Sequence, residues 1–309
     1  MMSGHIAILG VFVADTSYRA DRAPKMGETI LGNSFALGPG GKGSNQAVAA
    51  ARAGAETHMI TKLGKDTFAD LAFATWKDAG VTPAVSQHDD DYTGAAYIFV
   101  EEATGNNAII ICPGIASTIS VADVEARAEL IGSASVFVTQ LEQPIDAAFR
   151  ALEIAKAGGA TTILNPAPAA DLPADIFPLC DYVTPNESEA EGITGIAVTD
   201  IASAKRAGAA LLEMGAGAAL ITLGENGALL VTRDGATHTP SFDAGPVVET
   251  TGAGDAFNGG FAVALSEGMT AQDAARFGSA TAGISVTRKG TAPSMPSRAE
   301  IDALLNTSD

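Results

Sequence analysis

The sequence is short of cysteine, of charged residues and of long apolar runs. Cys112 and Cys180 are too few and too far apart for a disulfide framework or a cysteine metal cluster, so we expect two buried thiols. No apolar run approaches the roughly 18 residues of a transmembrane helix, and residues 1–10 carry no Lys or Arg before their short apolar stretch. These absences predict a cytoplasmic protein without a membrane span.

Positive charge is also scarce. The chain has 18 Lys and Arg against 36 Asp and Glu, which gives a formal net charge of −18 over 309 residues. Such a field repels a phosphate backbone, so neither nucleic acid nor an anionic membrane is an expected partner. A nucleotide would have to bind locally, through backbone N–H groups, helix N-termini and a few well placed cations.

What the chain does have is an alternation of β-branched runs with Ala-rich segments of helical period, and 47% of it is apolar. That pattern is typical of repeated βαβ units around a mostly parallel sheet, so we predict an α/β fold with one main core. The predicted strands cover residues 6–11, 57–63, 135–141, 161–164, 182–184, 219–223 and 228–232. Predicted helices lie between them, for example at 44–53, 67–78, 145–157 and 203–214.

Two segments interrupt the alternation, residues 15–37 and 94–111. The second has β-forming runs on both sides of residues 101–107, which indicates a β-hairpin. Because neither segment contains a crossover helix, we expect both to lie outside the main sheet as a small β-rich lid. The core would then comprise residues 1–14, 38–93 and 112–309.

The strongest chemical signal runs from Glu249 to Phe257, where glycines lead directly into a predicted amphipathic helix. Without side chains at Gly252 and Gly254 the backbone can approach an anion, and the N–H groups of the first helical turn point at it. Asp255 lies beside this candidate anion hole, where the helix dipole is expected to keep it ionised. An aspartate there is either a helix cap or, next to bound phosphate, a base for an attacking hydroxyl.

A second glycine-rich segment, residues 38–47, opens another predicted helix and offers a place for a ligand hydroxyl or phosphate. The Gly-x-Gly-x-x-Gly pattern of dinucleotide-binding proteins is matched by Gly38, Gly40 and Gly43. Residues 34–37 make a poor first strand, and Glu56 precedes the next strand instead of ending it, so the context disfavours that interpretation. A Walker A loop is also excluded, because a glycine follows Lys42.

Together these segments resemble the ribokinase branch of the PfkB carbohydrate kinase family. Residues 38–46 are similar to the family's N-terminal signature, and residues 249–257 are similar to its C-terminal signature. Five further segments follow in the family's order: residues 139–142, 165–168, 184–189, 221–224 and 286–290. The resemblance covers nearly the whole chain and implies a ribokinase-like fold, a three-layer, doubly wound, mostly parallel sheet with a small lid.

The resemblance implies phosphorylation of a sugar primary hydroxyl by ATP, with D-ribose to ribose 5-phosphate as the first candidate and with Mg²⁺ and K⁺ as cofactors. The implied catalytic residues are Asp255 as base and an anion hole of Gly252, Ala253 and Gly254. The implied sugar site comprises Asp15, Gly40, Gly41, Lys42, Asn45, Glu142 and Asp255. The implied nucleotide site comprises Asn186, Thr222, Gly224, Gly254 and Ser279, with Glu189 acting indirectly on Mg²⁺. The implied monovalent-cation site comprises Glu249, Thr251, Ser285, Gly290 and Ser294. A homodimer formed through the lid is implied as well.

Two positions depart from the family's pattern. An Asn usually lies two positions before the aspartate that corresponds to Asp15, but this sequence has Val13, which cannot hydrogen-bond a sugar hydroxyl. Glu249 lies where the family more often has Asp. The substrate therefore stays open among ribose, deoxyribose, other pentoses, a hexose and a nucleoside.

Less specific interpretations stay open too. Lys42 is equally compatible with a solvated lysine at a helix start, and Glu187 and Glu189 with first-turn charges of a helix. Two other functions remain: an NAD-dependent oxidoreductase that uses residues 38–43, and a noncatalytic sugar- or nucleotide-binding regulator on a kinase fold. The four histidines lack the spacing of metal ligands, and Trp76 is expected in the core.

Overall fold

A computed structural model describes residues 4–307 of the chain. The strands within this range are β1 (Ile6–Leu9), β2 (Val13–Ala20), β3 (Ser34–Gly40), β4 (Thr57–Gly64), β5 (Val81–His88), β6 (Thr93–Glu101), β7 (Asn107–Gly114), β8 (Val136–Thr139), β9 (Thr161–Leu164), β10 (Tyr182–Val183), β11 (Ala218–Thr222), β12 (Ala228–Thr232) and β13 (Gly235–Thr239). The α-helices are α1 (Lys42–Arg52), α2 (Thr67–Ala79), α3 (Val121–Glu125), α4 (Ala128–Gly132), α5 (Ile145–Gly158), α6 (Glu187–Thr194), α7 (Ile201–Glu213), α8 (Ala253–Ser266), α9 (Ala271–Ser285) and α10 (Arg298–Thr307).

The larger of two sheets is parallel except at one edge. Its order among the described residues is β13-β12-β11-β10-β9-β8-β1-β4-β5, and the strands from β11 to β5 in this order run parallel. At the other edge, β12 pairs antiparallel with β11 on one side and with β13 on the other. Because parallel strands end at a common edge, the residues that follow β1, β8, β9, β10 and β11 meet there.

Strand side chains alternate between two buried cores, one on each face of this sheet. Ile6 and Ile8 belong to the core that α1, α2, α8 and α9 cover, whereas Ala7 and Leu9 belong to the core that α5 and α7 cover. Trp76 is fully buried in the first core, as predicted. Helices on both faces give the three layers expected from the sequence.

Helix α8 differs from the predicted amphipathic helix. All of its residues from Asp255 to Ala264 are buried, because α1 packs on one side of it and α9 on another. A helix that is apolar nearly all round belongs inside a core. Burial of this helix takes the aspartate near its start out of water.

The smaller sheet has the order β3-β2-β6-β7, with β2 parallel to β6 and both outer pairs antiparallel. The β6–β7 hairpin was predicted and is confirmed. The four strands extend one to three residues beyond the predicted lid segments 15–37 and 94–111. Large apolar side chains stay exposed on this sheet: Tyr18, Phe35, Leu37, Tyr97, Ile109, Ile110 and Ile111.

Two strands of the larger sheet, β5 and β13, have no counterpart in the prediction. Both are edge strands, and β5 contains Pro83, which an edge position tolerates because one side of the strand has no partner. Cys112 on β7 is exposed, so the prediction of two buried thiols is correct for Cys180 only. None of the helices within residues 4–307 has the length and apolar character to cross a membrane.

Candidate active site

Helix α8 begins at an open glycine turn. Gly252 is its N-cap at φ 83°, a left-handed conformation that glycine adopts without strain. A Cβ added at Gly254 would meet no neighbouring element within 4 Å in the described chain. The Ala253 N–H already donates to Thr250 O at 3.1 Å, whereas the Gly254 and Asp255 N–H groups have no acceptor inside an α-helix. The start of α8 can therefore receive an anion.

Asp255 lies in the first turn of α8, but it does not cap the helix. The residue is 7% exposed, and its carboxylate is directed to α1. Oδ2 accepts from Asn45 Nδ2 at 2.9 Å, and Oδ1 accepts from Gln46 Nε2 at 3.0 Å. The N-cap of α8 is Gly252, and no side chain caps this end of the helix. The interpretation of Asp255 as a helix cap is therefore wrong.

Burial dominates the acidity of Asp255. It raises the pKa of the carboxyl above the ordinary value, while Lys42 and the amides of Asn45 and Gln46 act to lower it. The sequence-based expectation that the helix dipole keeps this group ionised is therefore wrong about the direction of the shift. A carboxylate that is costly to ionise is also a better proton acceptor.

The glycine turn before α1 binds a carboxylate of the protein itself. Gly41 has φ 86°, and a Cβ there would lie 2.5 Å from Val11 O. The Lys42 N–H donates to Glu142 Oε2 at 2.7 Å. The turn follows β3 of the smaller sheet and not the first strand of a parallel sheet, so the dinucleotide-binding interpretation is wrong.

Asp15 reaches the same site from β2 of the smaller sheet. A Cβ on Gly40, across the sheet, would lie 2.3 Å from Asp15 Oδ2, so this carboxylate needs glycine at position 40. Burial raises the pKa of Asp15 to about 6, and the charges of Asp255 and Glu249 add to the shift. The smaller sheet thus contributes a carboxylate to a site that the larger domain builds.

Lys42 is the cation among these carboxylates. Burial alone would lower the pKa of its ammonium, but Asp255, Glu142 and Glu189 together raise that pKa above its ordinary value. Burial raises the pKa of Glu142 to about 7, although the N–H and the charge of Lys42 oppose the shift. Lys42 is therefore not a solvated lysine, and a cluster of shifted groups in a cleft is typical of a functional site.

A cavity of about 160 Å³ extends from Lys42 and Asp255 to the carboxyl ends of the parallel strands. It is lined by seven of the predicted residues: Lys42, Asn186, Glu189, Thr222, Gly252, Gly254 and Asp255. It is also lined by four residues for which we predicted no role from the sequence: Asn165, Ala167, Thr184 and Asn258. Asn165 and Thr184 directly follow β9 and β10, so their positions at strand ends were the available signal. Asn258 lies inside α8, where no sequence signal distinguishes it.

Asn186 and Glu189 form the start of α6 and also border the cavity. Asn186 Oδ1 accepts from the Glu189 N–H at 2.8 Å, and Glu189 Oε2 accepts from the Asn186 N–H at 2.9 Å, which forms the capping box of α6. Both residues also line the cavity. Burial raises the pKa of Glu189.

A larger cavity, about 470 Å³, lies beyond β11 and does not include Asp255. Glu187, Asp200 and Glu225 make its lining acidic, which is unfavourable for phosphate groups. Of these two cavities, the smaller one contains Asp255 and a lysine, Lys42. Two predicted nucleotide residues line neither space: Gly224 lies beside the larger cavity, and Ser279 is buried in α9 with an unpartnered hydroxyl.

Of the predicted monovalent-cation residues, Glu249 and Thr251 precede α8, Ser285 ends α9, and Gly290 and Ser294 lie between α9 and α10. Glu249 Oε2 accepts from the Gly290 N–H at 2.9 Å. The hydroxyls of Ser285 and Ser294 donate to the carbonyls of Ala282 and Thr291, which leaves their oxygen lone pairs available. Residues 4–307 contain no cluster of three or more His, Cys, Asp or Glu that could hold a metal ion. Any cation here would be held by neutral oxygens with few carboxylates.

The chain is similar to known proteins along nearly its whole length. Residues 4–298 match the family model described as pfkB family carbohydrate kinase. The chain is 37% identical to the ribokinase of Haemophilus influenzae, over 96% of both chains. It is 36% identical to the deoxyribokinase of Salmonella typhi, over 97% of this chain and 98% of the other. The solved structure of Arabidopsis thaliana ribokinase complexed with ribose and ATP has a TM-score of 0.94 at 30% identity, over 98% of this chain and 99% of that chain.

Proposed function

The chain belongs to the pfkB family of carbohydrate kinases, and we propose that it transfers the γ-phosphoryl group of ATP to a primary hydroxyl of a pentose, with D-ribose giving ribose 5-phosphate. The family and the fold predicted from the sequence are confirmed, and the chain is a sugar kinase. The observation that carries the finer proposal is Asp255, a buried carboxylate beside an open helix start.

In this reaction Asp255 accepts the proton of the sugar hydroxyl while that oxygen attacks the γ-phosphorus and the bond to the β-phosphate oxygen breaks, which releases ADP. The exposed start of α8, with Gly252 and Gly254, receives the negative charge of the transferring group. The Ala253 N–H is bonded to Thr250 O in this structure, so the anion hole rests chiefly on its neighbours. The raised pKa of Asp255 makes this carboxylate a better proton acceptor than an ordinary aspartate.

The sugar would lie between α1 and the smaller sheet, where hydrogen-bonding groups converge. Asn45 Oδ1 is buried without a protein partner, which makes it an acceptor for a sugar hydroxyl. Asp15 and Glu142 supply carboxylates on either side, and the glycines at 40 and 41 leave room for the ring. The smaller sheet then acts as the lid that excludes water from the phosphoryl group.

ATP would place its phosphates in the cavity that Asn186, Glu189 and Thr222 line. Mg²⁺ prefers oxygen ligands and is usually bound through phosphates, waters and one or two carboxylates. The residues fit this mode, because Glu189 has one carboxylate oxygen engaged by the Asn186 N–H and the other free of that bond. Bound Mg²⁺ would neutralise phosphate charge, with Glu189 acting through water.

For the monovalent site we propose K⁺, held by oxygens of Thr251, Ser285, Gly290 and Ser294 with Glu249 nearby. K⁺ should raise kcat without contacting the sugar. Because Glu249 is one methylene longer than the usual Asp, the Glu249→Asp variant should respond more strongly to K⁺ than the native chain does. Equal rates in K⁺ and in tetramethylammonium, at matched ionic strength, would contradict an occupied site.

A second candidate substrate is 2-deoxyribose, which Val13 favours. Val13 is 4% exposed, lies two residues from Asp15 on the same face of β2, and pairs with Gly40. An apolar side chain there leaves a 2-hydroxyl without a partner, and one relative at 36% identity is a deoxyribokinase.

The experiment is a coupled ADP-release screen across pentoses, hexoses and nucleosides, run on the native chain and on Val13→Asn. The proposal expects a pentose to have the highest kcat/KM, and the asparagine variant to shift preference towards ribose over 2-deoxyribose. A hexose or nucleoside that exceeds every pentose by more than about tenfold, roughly 1.4 kcal/mol, would overturn the pentose assignment. Absence of ADP release with every acceptor would favour the noncatalytic regulator.

We also place the protein in the cytoplasm and propose a homodimer formed through the lid. The exposed apolar side chains of the smaller sheet support that interface, since Phe35 and Ile110 are 58% and 63% exposed. Sedimentation of the native chain and of a charged Ile110→Lys variant tests it. The variant should sediment as a monomer, and an unchanged dimer would exclude this face.

A further inference from the structure

A network of hydrogen bonds between buried amide side chains connects Asp255 to the ends of three strands. Gln140 Nε2 donates to Gln46 Oε1 at 2.6 Å, and Gln46 Nε2 donates both to Asn165 Oδ1 and to Asp255 Oδ1, at 3.0 Å each. Asn165 Nδ2 continues to Thr184 O at 3.0 Å. These contacts join α1, α8 and the ends of β8, β9 and β10.

The orientation of the Gln46 amide in this network is determined by the oxygens that accept from it. Two oxygens, on Asp255 and Asn165, face the same end of Gln46, so that end must be the NH₂ group and the other end must be the carbonyl. The carbonyl in turn accepts from Gln140, whose own Oε1 packs against the backbone of Gly10 and Gly43. Gln46 therefore has one stable orientation, with its donor aimed at the carboxylate.

Gln46 cannot contact a substrate. It is 0% exposed, and it does not line the cavity that holds Asp255. Its neighbour Asn45 bonds the other carboxylate oxygen and keeps an unpaired acceptor, Oδ1. Both ends of the Gln46 amide, in contrast, are paired within the protein.

We propose that Gln46 is a positioning residue, which orients the Asp255 carboxylate and supports its ionised form through the Gln46 Nε2 to Asp255 Oδ1 hydrogen bond. This role rests on the proposed function of Asp255 as base. The other charged groups around Asp255 are Lys42 of α1, Asp15 of β2, Glu142 after β8 and Glu189 of α6. None of these four is among the hydrogen-bond partners of the Gln46 amide, which are Asn165, Asp255 and Gln140.

The test is the pH dependence of kcat in Gln46→Met, which keeps the length of the side chain and removes the donor. Loss of a hydrogen bond to the charged form raises the pKa of the base, so the acidic limb should move up by about one pH unit. We expect kcat at pH 7 to fall about 10- to 100-fold, with the KM for sugar changed less than about threefold.

Gln143→Met is the matched control. Gln143 is 3% exposed, and its amide donates to Thr139 Oγ1 and Gln140 O without touching Asp255. This variant also loses a buried amide, so it reports on stability alone, and its acidic limb should stay where the native limb lies. An equal shift in both variants, or an unmoved limb in folded Gln46→Met, would overturn the positioning role.

Gln46→Glu provides a second test of the positioning role, because glutamate keeps the shape of the side chain and the oxygen that accepts from Gln140. A second carboxyl at this place should push the acidic limb higher than methionine does. If neither Gln46 variant folds, Gln46 is a structural residue and the proposal is wrong. An Asp255→Asn protein that keeps its turnover would instead overturn the base itself, so the two failures are distinguishable.

Discussion

At the junction of α1 and α8 the protein buries charged and amide side chains, whereas in the four-strand sheet it exposes aromatic and aliphatic ones. Asp255 and Gln46 are 7% and 0% exposed, while Phe35 and Ile110 are 58% and 63% exposed. Buried polar groups and large exposed apolar patches are each unusual in a folded domain. The junction pairs Asp255 with two amides inside the protein, whereas the sheet leaves apolar surface exposed.

The largest effect should come from the centre of the junction. Asp255→Asn keeps the shape of the side chain but cannot accept a proton, so kcat should fall by roughly 10² to 10⁴-fold or more. The change removes a buried charge and weakens one of two amide contacts, so the free energy of unfolding should stay within about 1 kcal/mol. The measurements are kcat, the nucleotide Kd and urea unfolding on one preparation.

Asp200→Asn is the control for that prediction. Asp200 is a genuine N-cap, whose carboxylate accepts from the Ser203 N–H at 2.7 Å at the start of α7. Asn is also a good cap, so neither kcat nor stability should change much. Near-native turnover in Asp255→Asn would end the assignment of this residue as base.

A smaller effect is expected where the sheet reaches the junction. Asp15→Asn should lower kcat/KM for the sugar about 10- to 100-fold and leave the nucleotide Kd unchanged, because a charge-assisted hydrogen bond is lost only on the sugar side. Asp21→Asn, an exposed aspartate just after β2 that accepts from Asn33 Nδ2, should behave as the native chain. Equal losses in both variants would mean that the sheet contributes through stability alone.

Glu142 tests the cost of the buried charge directly. Its pKa is raised to about 7, so the folded state holds a proton that the unfolded state has lost above pH 4.5. The contribution of Glu142 to the free energy of unfolding is therefore most favourable below pH 4.5 and becomes less favourable as the pH rises towards 7. Glu142→Gln can still accept from the Lys42 N–H, so at pH 8 it should be more stable than the native chain by roughly 1–2 kcal/mol, after allowance for partial exposure.

Urea unfolding of the two proteins at pH 5 and pH 8 measures this. The difference in stability should shrink at pH 5, and the variant should lose activity while it gains stability. A difference that is the same at both pH values would contradict the raised pKa.

The smallest effect concerns the mobility of the sheet. Amide exchange in residues 94–111 should slow roughly tenfold when sugar and ATP are both bound, because a lid that closes buries its own backbone. Strand β13 is a control, since it is an edge strand of the larger sheet outside the Asp255 cavity. Unchanged exchange in 94–111 at saturating ligands would exclude a lid role for the hairpin.

The two regions also differ in how far the sequence predicts them. The hairpin of the smaller sheet was predicted because β-branched runs and a turn are local patterns, and it is confirmed. The family signatures located both helix starts. Edge strand β5 was missed because Pro83 and its polar neighbours weaken the strand pattern, which an edge position permits.

Individual residues of the junction were predicted from the sequence, but the contacts between them were not. Gln46 and Asp255 are 209 residues apart in the chain, so no local pattern announces their hydrogen bond. The direction of the Asp255 pKa shift depends on burial by α1 and α9, which only the packed structure supplies. The dipole of α8 taken alone favours the ionised carboxylate, which is the opposite direction.

If the proposed function is correct, the junction delivers a phosphoryl group to a sugar hydroxyl and not to water. The direct measurement is ³¹P NMR of a mixture of the protein with ATP, Mg²⁺, K⁺ and either ribose or 2-deoxyribose. We predict one sugar phosphomonoester in an amount equal to ADP, with little orthophosphate, and at least about 100-fold slower formation of that product with Asp255→Asn. ADP formed together with orthophosphate alone, or an unchanged ATP spectrum with both pentoses, would contradict the account.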